Sequence, residues 1–259
     1  MKSMTVSRPL FAMLGLVAVL GAATLGLSQG TPAAPVTRTP ALAAKDAPVL
    51  LELFTSQGCS SCPPADALAE KLATDPSLVV IARPVTYWDR LGWKDTLARE
   101  ENTALQQAYA RRGLAGQNGV YTPQLVIDGR FGTVGSRAEA VSAGIARHGA
   151  TGDAAIRVAP QGAGGYAVSL SGSATGEAEL VLLAVTRTVA VGIGRGENGG
   201  RKVVYTNVLR AERKIADWQG GKRDVALAAD ALKVPGADRY ALVLRQPGGG
   251  TVLAARWVA

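Results

Sequence analysis

Cys59 and Cys62 are the only cysteines in the chain, and two residues separate them. A bond between them would close almost the shortest possible loop, so as a staple the pair would remove little chain entropy. The constraint on the fold comes from what flanks them. Pro48-Val49-Leu50-Leu51-Glu52-Leu53-Phe54 is a short apolar run closed by Thr55-Ser56-Gln57-Gly58, the form of a buried strand ending in a turn. After the cysteines, Ala65, Leu68, Ala69 and Leu72 recur at helical spacing, with Asp66 near the start and Lys71 near the end, as the helix dipole favours. Asp75-Pro76-Ser77 breaks that helix, and Leu78 to Val85 is a second buried strand. Strand, cysteine turn, helix, strand requires a right-handed crossover with parallel pairing if both strands share a sheet.

Thr96 to Arg112 supplies a further helix ended by Gly113, and Tyr121 to Ile127 reads as a strand entering a hairpin at Asp128-Gly129-Arg130. Ser136 to Arg147 is another helix, for which Ser136 and Glu139 predict a capping box. Beyond Gly149 the texture changes to short alternating segments split by glycines: Ala155 to Val158, Tyr166 to Leu170, Leu180 to Thr186, Val203 to Leu209 and Tyr240 to Leu244. Tyr240 to Arg245 and Thr251 to Val258 flank Gln246-Pro247-Gly248-Gly249-Gly250 and predict a hairpin. The expected architecture is α/β over 47–150, a central mixed sheet flanked by helices, followed by a β-rich domain or extension over 151–259.

Lys2 and Arg8 precede an uncharged stretch from Leu10 to Leu27, the pattern of an export signal. The clearest small-x-small site, Ala41-x-Ala43, lies well downstream, and an uncut stretch would be nearly long enough to serve as a membrane anchor. Residues 28–46 form a Pro- and Ala-rich linker. The globular part is therefore expected outside the cytoplasm, periplasmic or secreted, or held at the inner membrane. The net charge of +8 is scattered rather than clustered, which argues against a nucleic-acid partner.

A Cys-x-x-Cys pair has three uses. A zinc site needs two further ligands, and beyond the pair the chain offers only His148 among Cys and His residues. An inert staple gains little. A redox pair fits: Cys59 at or just before the helix start would meet free N–H groups and the dipole, which favour a thiolate, and Cys62 would be the resolving thiol. Ser60 and Ser61 add donors, and Gly58 allows close backbone approach. Pro63 and Pro64 are acceptable early in a helix, though two in succession would delay its onset and move Cys59 off the dipole. Thr122-Pro123 opens a strand and is the candidate second wall of a substrate groove, with Gly58, Trp88 and Trp93; Tyr87 extends the aromatic rim. Glu52 is a candidate proton acceptor for Cys62, or else a hydrogen-bonded structural carboxylate. Gly194 to Gly200 lacks the Lys-Ser/Thr and the helix of a phosphate loop and reads as a hairpin loop.

The stretch from Glu52 to Asp66, together with Tyr87-Trp88-Asp89, Leu91 to Asp95, Tyr121 to Gln124, Asp128-Gly129, Gly196-Glu197-Asn198 and Asn207 to Arg210, resembles the secreted family catalogued as domain of unknown function 1223. That resemblance, over about residues 47–259, implies a thioredoxin-like domain with a β-rich C-terminal part and no named substrate. Two departures stand out. Pro84-Val85-Thr86 replaces the family's usual His-Val-Asp, and Gly58 stands where thioredoxin has Trp. The expected activity is exported thiol–disulfide exchange by Cys59 and Cys62, without cofactor or metal, acting on protein or small-molecule thiols and disulfides. A Cu(I)- or ligand-binding module and a non-catalytic scaffold of the same fold are the alternatives.

Overall fold

Strand β1 (Val49–Thr55) is buried along its whole length, and its two-residue alternation separates two layers. Val49, Leu51 and Leu53 pack with Ala65 and Ala69 of helix α1 (Pro63–Leu72) and Val141 of helix α3 (Ala138–His148). Phe54 packs with Tyr109 of helix α2 (Glu100–Arg111). The computed structural model describes residues 47–114, 119–149 and 153–258. The apolar stretch 10–27 and the linker 28–46, with the export and anchor expectations they carry, lie outside the described residues.

Strand β2 (Leu78–Pro84) runs parallel to β1, as the strand–helix–strand order requires. On the other side β3 (Gln124–Ile127) is antiparallel to β1 and turns into β4 (Phe131–Val134). Asp128 and Gly129 at that turn have φ of 46° and 59°, the pair of positive values a two-residue hairpin requires. β5 (Ala154–Gln161), β6 (Gly165–Gly172) and β9 (Arg223–Leu227) form a separate small sheet. β7 (Ala178–Gly192), β8 (Lys202–Trp218), β10 (Arg239–Arg245) and β11 (Val252–Trp257) instead extend the first sheet, in the order β11-β10-β7-β8-β2-β1-β3-β4. Leu180, Leu182, Leu242 and Leu244 on one face of these strands pack against Ile156, Val168, Leu170 and Leu227 of the small sheet.

The seam between early and late strands is short. β8 pairs in parallel with β2 only at Ala82 and Val208. Asn207, with φ of 49°, sends its side-chain amide to the Val80 carbonyl at 2.9 Å in place of a ladder bond. Asparagine tolerates that left-handed conformation better than most residues.

Three expectations shift. α2 starts at Glu100 rather than Thr96, because Asp95 takes the N–H groups of Leu97 and Ala98 and Arg99 is extended, its N–H bonded to Pro84. α3 starts at Ala138 with Arg137 at its cap and no side-chain cap bond, so the Ser136–Glu139 capping box does not form. β7 and β8 are also far longer than their apolar cores, and their outer residues make a two-stranded arm ending in the tip 193–201. No helix among the described residues is long and apolar enough to cross a membrane.

Candidate functional site

The strand-to-helix junction holds the two cysteines as a disulfide, with Cα atoms 5.4 Å apart. Both are 0% exposed, whereas Ser60 and Ser61 between them are exposed, so the sulfurs lie one layer under the surface. The helix begins at Pro63 and its N-cap is Cys62, not Cys59. This corrects the expectation that Cys59 sits on the helix dipole. Pro63 and Pro64 have no N–H, and the next two amides, of Ala65 and Asp66, both donate to the Cys62 carbonyl. Donors for an anion on Cys59 must therefore come from the loop. One is in place: the Ser61 hydroxyl lies 3.3 Å from Cys59 Sγ and donates to it, since a disulfide sulfur has no hydrogen to give.

Three segments hold this loop. Asp95 accepts the Gln57 N–H at 2.8 Å, and Asp89 in turn accepts the Asp95 N–H. Trp93 Nε1 donates to the Gln57 side chain at 2.8 Å. Gly58 abuts Trp88, where an added Cβ would lie 3.2 Å from the Trp88 Cβ. The Trp88 indole donates to Thr122 Oγ1 at 2.8 Å, and the Thr122–Pro123 peptide bond is cis. The structure thus gathers Gly58, Trp88, Trp93 and Thr122 around the disulfide loop. Pro123 joins through its carbonyl, which accepts the N–H of Gly135, itself against Leu53 and Ala65.

The third segment comes from far along the chain. At the tip of the β7–β8 arm the Asn198 amide donates to the carbonyls of both Gln57 (3.0 Å) and Cys59 (2.8 Å), while Glu197 accepts the Ser60 N–H at 3.0 Å. Gly194 and Gly196 lie against Trp93. The glycine-rich run is a hairpin tip.

Glu52 is buried on the face of β1 opposite Leu51 and Leu53, hence opposite α1. Its carboxylate accepts from Arg83 Nε at 2.6 Å and from the Tyr109 hydroxyl at 2.5 Å. Arg83 also pairs with Glu212, which pairs with Arg245, which pairs with Glu179. Burial raises the Glu212 carboxyl, but Arg83 and Arg245 outweigh it and hold the group down at about 2. This satisfied ion network corrects the expectation that Glu52 serves the cysteines.

Asp66 is the acid on the cysteine side. It is 3% exposed, four residues after Cys62 on α1, a spacing that stacks side chains one above the other. Neither of its carboxylate oxygens has a hydrogen-bond partner, nor has the nearby hydroxyl of Thr55. Burial pushes the Asp66 carboxyl up to about 8 and the charge of Asp95 adds to the rise, while the Thr55 hydroxyl, close by but outside hydrogen-bond geometry, opposes it. The buried Tyr205 of β8 has its hydroxyl pushed up by burial and by these two acids. Sequence reasoning assigned Asp66 only to the helix dipole; the Cys62–Asp66 spacing was the available signal. Glu197 and Asn198 stood out only as part of the Gly196-Glu197-Asn198 stretch of the family resemblance, with nothing to tie them to the cysteines.

Fold and site define a class: a mixed α/β protein with a disulfide between a parallel strand and the following helix, closed over by a long β-arm. Within it the chain belongs to the family described as protein of unknown function (DUF1223), whose pattern matches residues 50–245. It is similar to a protein of Agrobacterium tumefaciens solved by X-ray crystallography, with 28% identity and a TM-score of 0.68 over 81% of this chain and 92% of that one. HBP35 of Porphyromonas gingivalis shares the fold at 11% identity, with a TM-score of 0.51 over 82% of this chain and 74% of that one. No curated protein matches the sequence.

Proposed function

We propose that this protein is an exported thiol–disulfide oxidoreductase whose domain over 47–150 is thioredoxin-like and whose redox pair is Cys59–Cys62. The observation that carries the reading is the disulfide at the head of α1 with an unpaired, buried acid one turn behind it, because a buried carboxyl without a partner destabilises the fold, and groups kept in spite of that cost concentrate at functional sites. An external thiolate attacks Cys59, the Cys59–Cys62 bond breaks, and its electron pair leaves on Cys62. Asp66, protonated at neutral pH, gives its proton to that sulfur. The second thiolate of the same dithiol then attacks the mixed disulfide, leaves oxidised, and releases Cys59 with the second electron pair. Run backwards, the Asp66 carboxylate deprotonates Cys62 for attack. Trp88, Trp93, Thr122 and Pro123 border the entry route for a protein or small-molecule thiol, and the pair acts outside the cytoplasm.

The test is dithiol-dependent reduction of a small disulfide. Cys59→Ser is expected to abolish it, and unchanged turnover would refute the reading. The complete shielding of both cysteines favours one rival, a scaffold with a structural disulfide. Alkylation of the protein across a graded glutathione series, read by mass, separates them: the exchange reading expects the pair to open within the glutathione range, the scaffold reading expects it to resist.

A further inference from the structure

The tip of the β7–β8 arm touches the disulfide loop at the atoms that would govern an anion on Cys59. Between the cysteines lie only the Ser60 and Ser61 amides, and the two prolines that follow remove the helix donors. The Ser60 amide is occupied by the carboxylate of Glu197. Asn198, buried and fixed through Arg201 Nη1 at 3.3 Å, clasps the carbonyls on either side of Gly58 and holds the tip down. The tip itself is tightly turned: Gly196 and Gly200 have φ of 78° and 80°, and the Gly200 N–H donates to Ile193.

We propose that Glu197 is a positioning residue that restrains Cys59, by withholding the Ser60 amide from its sulfur and by setting a negative charge beside the thiolate that exchange must form. In the oxidised protein the sulfurs are neutral and the carboxylate costs nothing there. Once the disulfide opens, a Cys59 thiolate and Glu197 compete for one amide and repel each other, while Ser61 alone supports the sulfur. The reduced pair therefore holds its first thiol protonated to a higher pH than the loop alone would dictate, which makes it a slow nucleophile at neutral pH and leaves the pair more inclined to stay a disulfide than a pair whose thiolate is stabilised. The hydrogen bonds from Ser60 keep the Glu197 carboxyl below its ordinary range, so the restraint is present throughout the neutral and mildly acidic range.

The proposal rests on the exchange reading, but its test reads the thiol itself. The full-length protein is reduced, and the alkylation rate of Cys59 is followed against pH by mass. Glu197→Gln keeps a group able to accept the amide but removes the charge. It is expected to move the pH midpoint of Cys59 alkylation down by about one unit, which means roughly tenfold faster reaction below the midpoint. Glu197→Asp should restore the wild-type profile. Asn198→Ala, which loosens the tip and keeps the charge, should raise the high-pH plateau with a far smaller movement of the midpoint. High salt should shift the wild-type midpoint downward and leave that of Glu197→Gln in place. Glu197 is exposed, so these variants are expected to fold. A midpoint that ignores Glu197→Gln overturns the proposal, even if disulfide turnover is intact. A midpoint that moves in a protein without turnover overturns the exchange reading and leaves the control of Cys59 standing.

Discussion

Glu52 on one face of β1 and Asp66 on the helix that packs against the other are buried carboxylates with opposite fates. On one face Glu52 is locked to Arg83 and Tyr109, and the network continues through Glu212 and Arg245, so each acid has a cation. On the other, Asp66 is as deeply buried and has no hydrogen-bond partner. Charge that is paired in low dielectric organises structure, here tying β1, β2, β8 and α2 into one block. Charge left unpaired gives up its ionisation instead, which under the proposed exchange makes Asp66 a proton store one helical turn from Cys62.

Breaking the paired face should have the largest effect. Glu52→Ala leaves the Arg83 guanidinium buried without its nearest partner and is expected to cost about 3–5 kcal/mol in urea denaturation. The unpaired face should respond in the opposite sense. Asp66→Asn removes a carboxyl that disfavours ionisation, so the oxidised protein should gain stability at pH 8 and almost nothing at pH 4, while exchange slows. A D66N protein that is destabilised at pH 8 would break the contrast.

The two faces also predict the pH dependence. Glu212 has a folded pKa of about 2, below its usual 4.5, so its contribution is complete above that usual value and is lost as pH falls toward 2. Asp66 has a folded pKa of about 8, above its usual 3.8, so the native protein keeps a proton the unfolded chain has released. Stability from this group therefore declines as pH climbs from about 4 to about 8. Denaturation midpoints should peak near pH 4–5, and the alkaline decline should vanish in Asp66→Asn. The smallest expected effect is at Gly58→Ala: the new methyl meets Trp88 at 3.2 Å, for a cost of about 1 kcal/mol and a displaced indole visible as a fluorescence change.

Much of this was legible beforehand. The apolar run into Cys59, the helical spacing after Cys62, the second buried strand, the β3–β4 turn and the β10–β11 hairpin are all local patterns, and all formed. The β9 strand was not foreseen, because Arg223–Leu227 is only five residues long and opens with two charged ones. The outer end of β7, 187–192, was missed because it is largely exposed, and the far end of β8, 210–218, because its charged residues Arg210, Glu212, Arg213, Lys214 and Asp217 break the apolar pattern. At the site, the cysteines, Gly58, Trp88, Trp93 and Thr122-Pro123 were recognisable as motif residues, and of the two readings of Glu52 the hydrogen-bonded structural carboxylate is the one the structure shows.

By itself the sequence determined the secondary elements near the cysteines and the candidate pair, because periodicity and turn chemistry act over a few residues. Which of the two acids is paired was decided only in three dimensions, because the cations that hold Glu52 come from Arg83 on β2 and, through Glu212, from Arg245 on β10, whereas Asp66 meets no cation among the described residues. The covering of Cys59 by Glu197 and Asn198 was likewise decided there: it joins residues about 140 positions apart, and such contacts follow from strand order and arm length rather than from any local pattern.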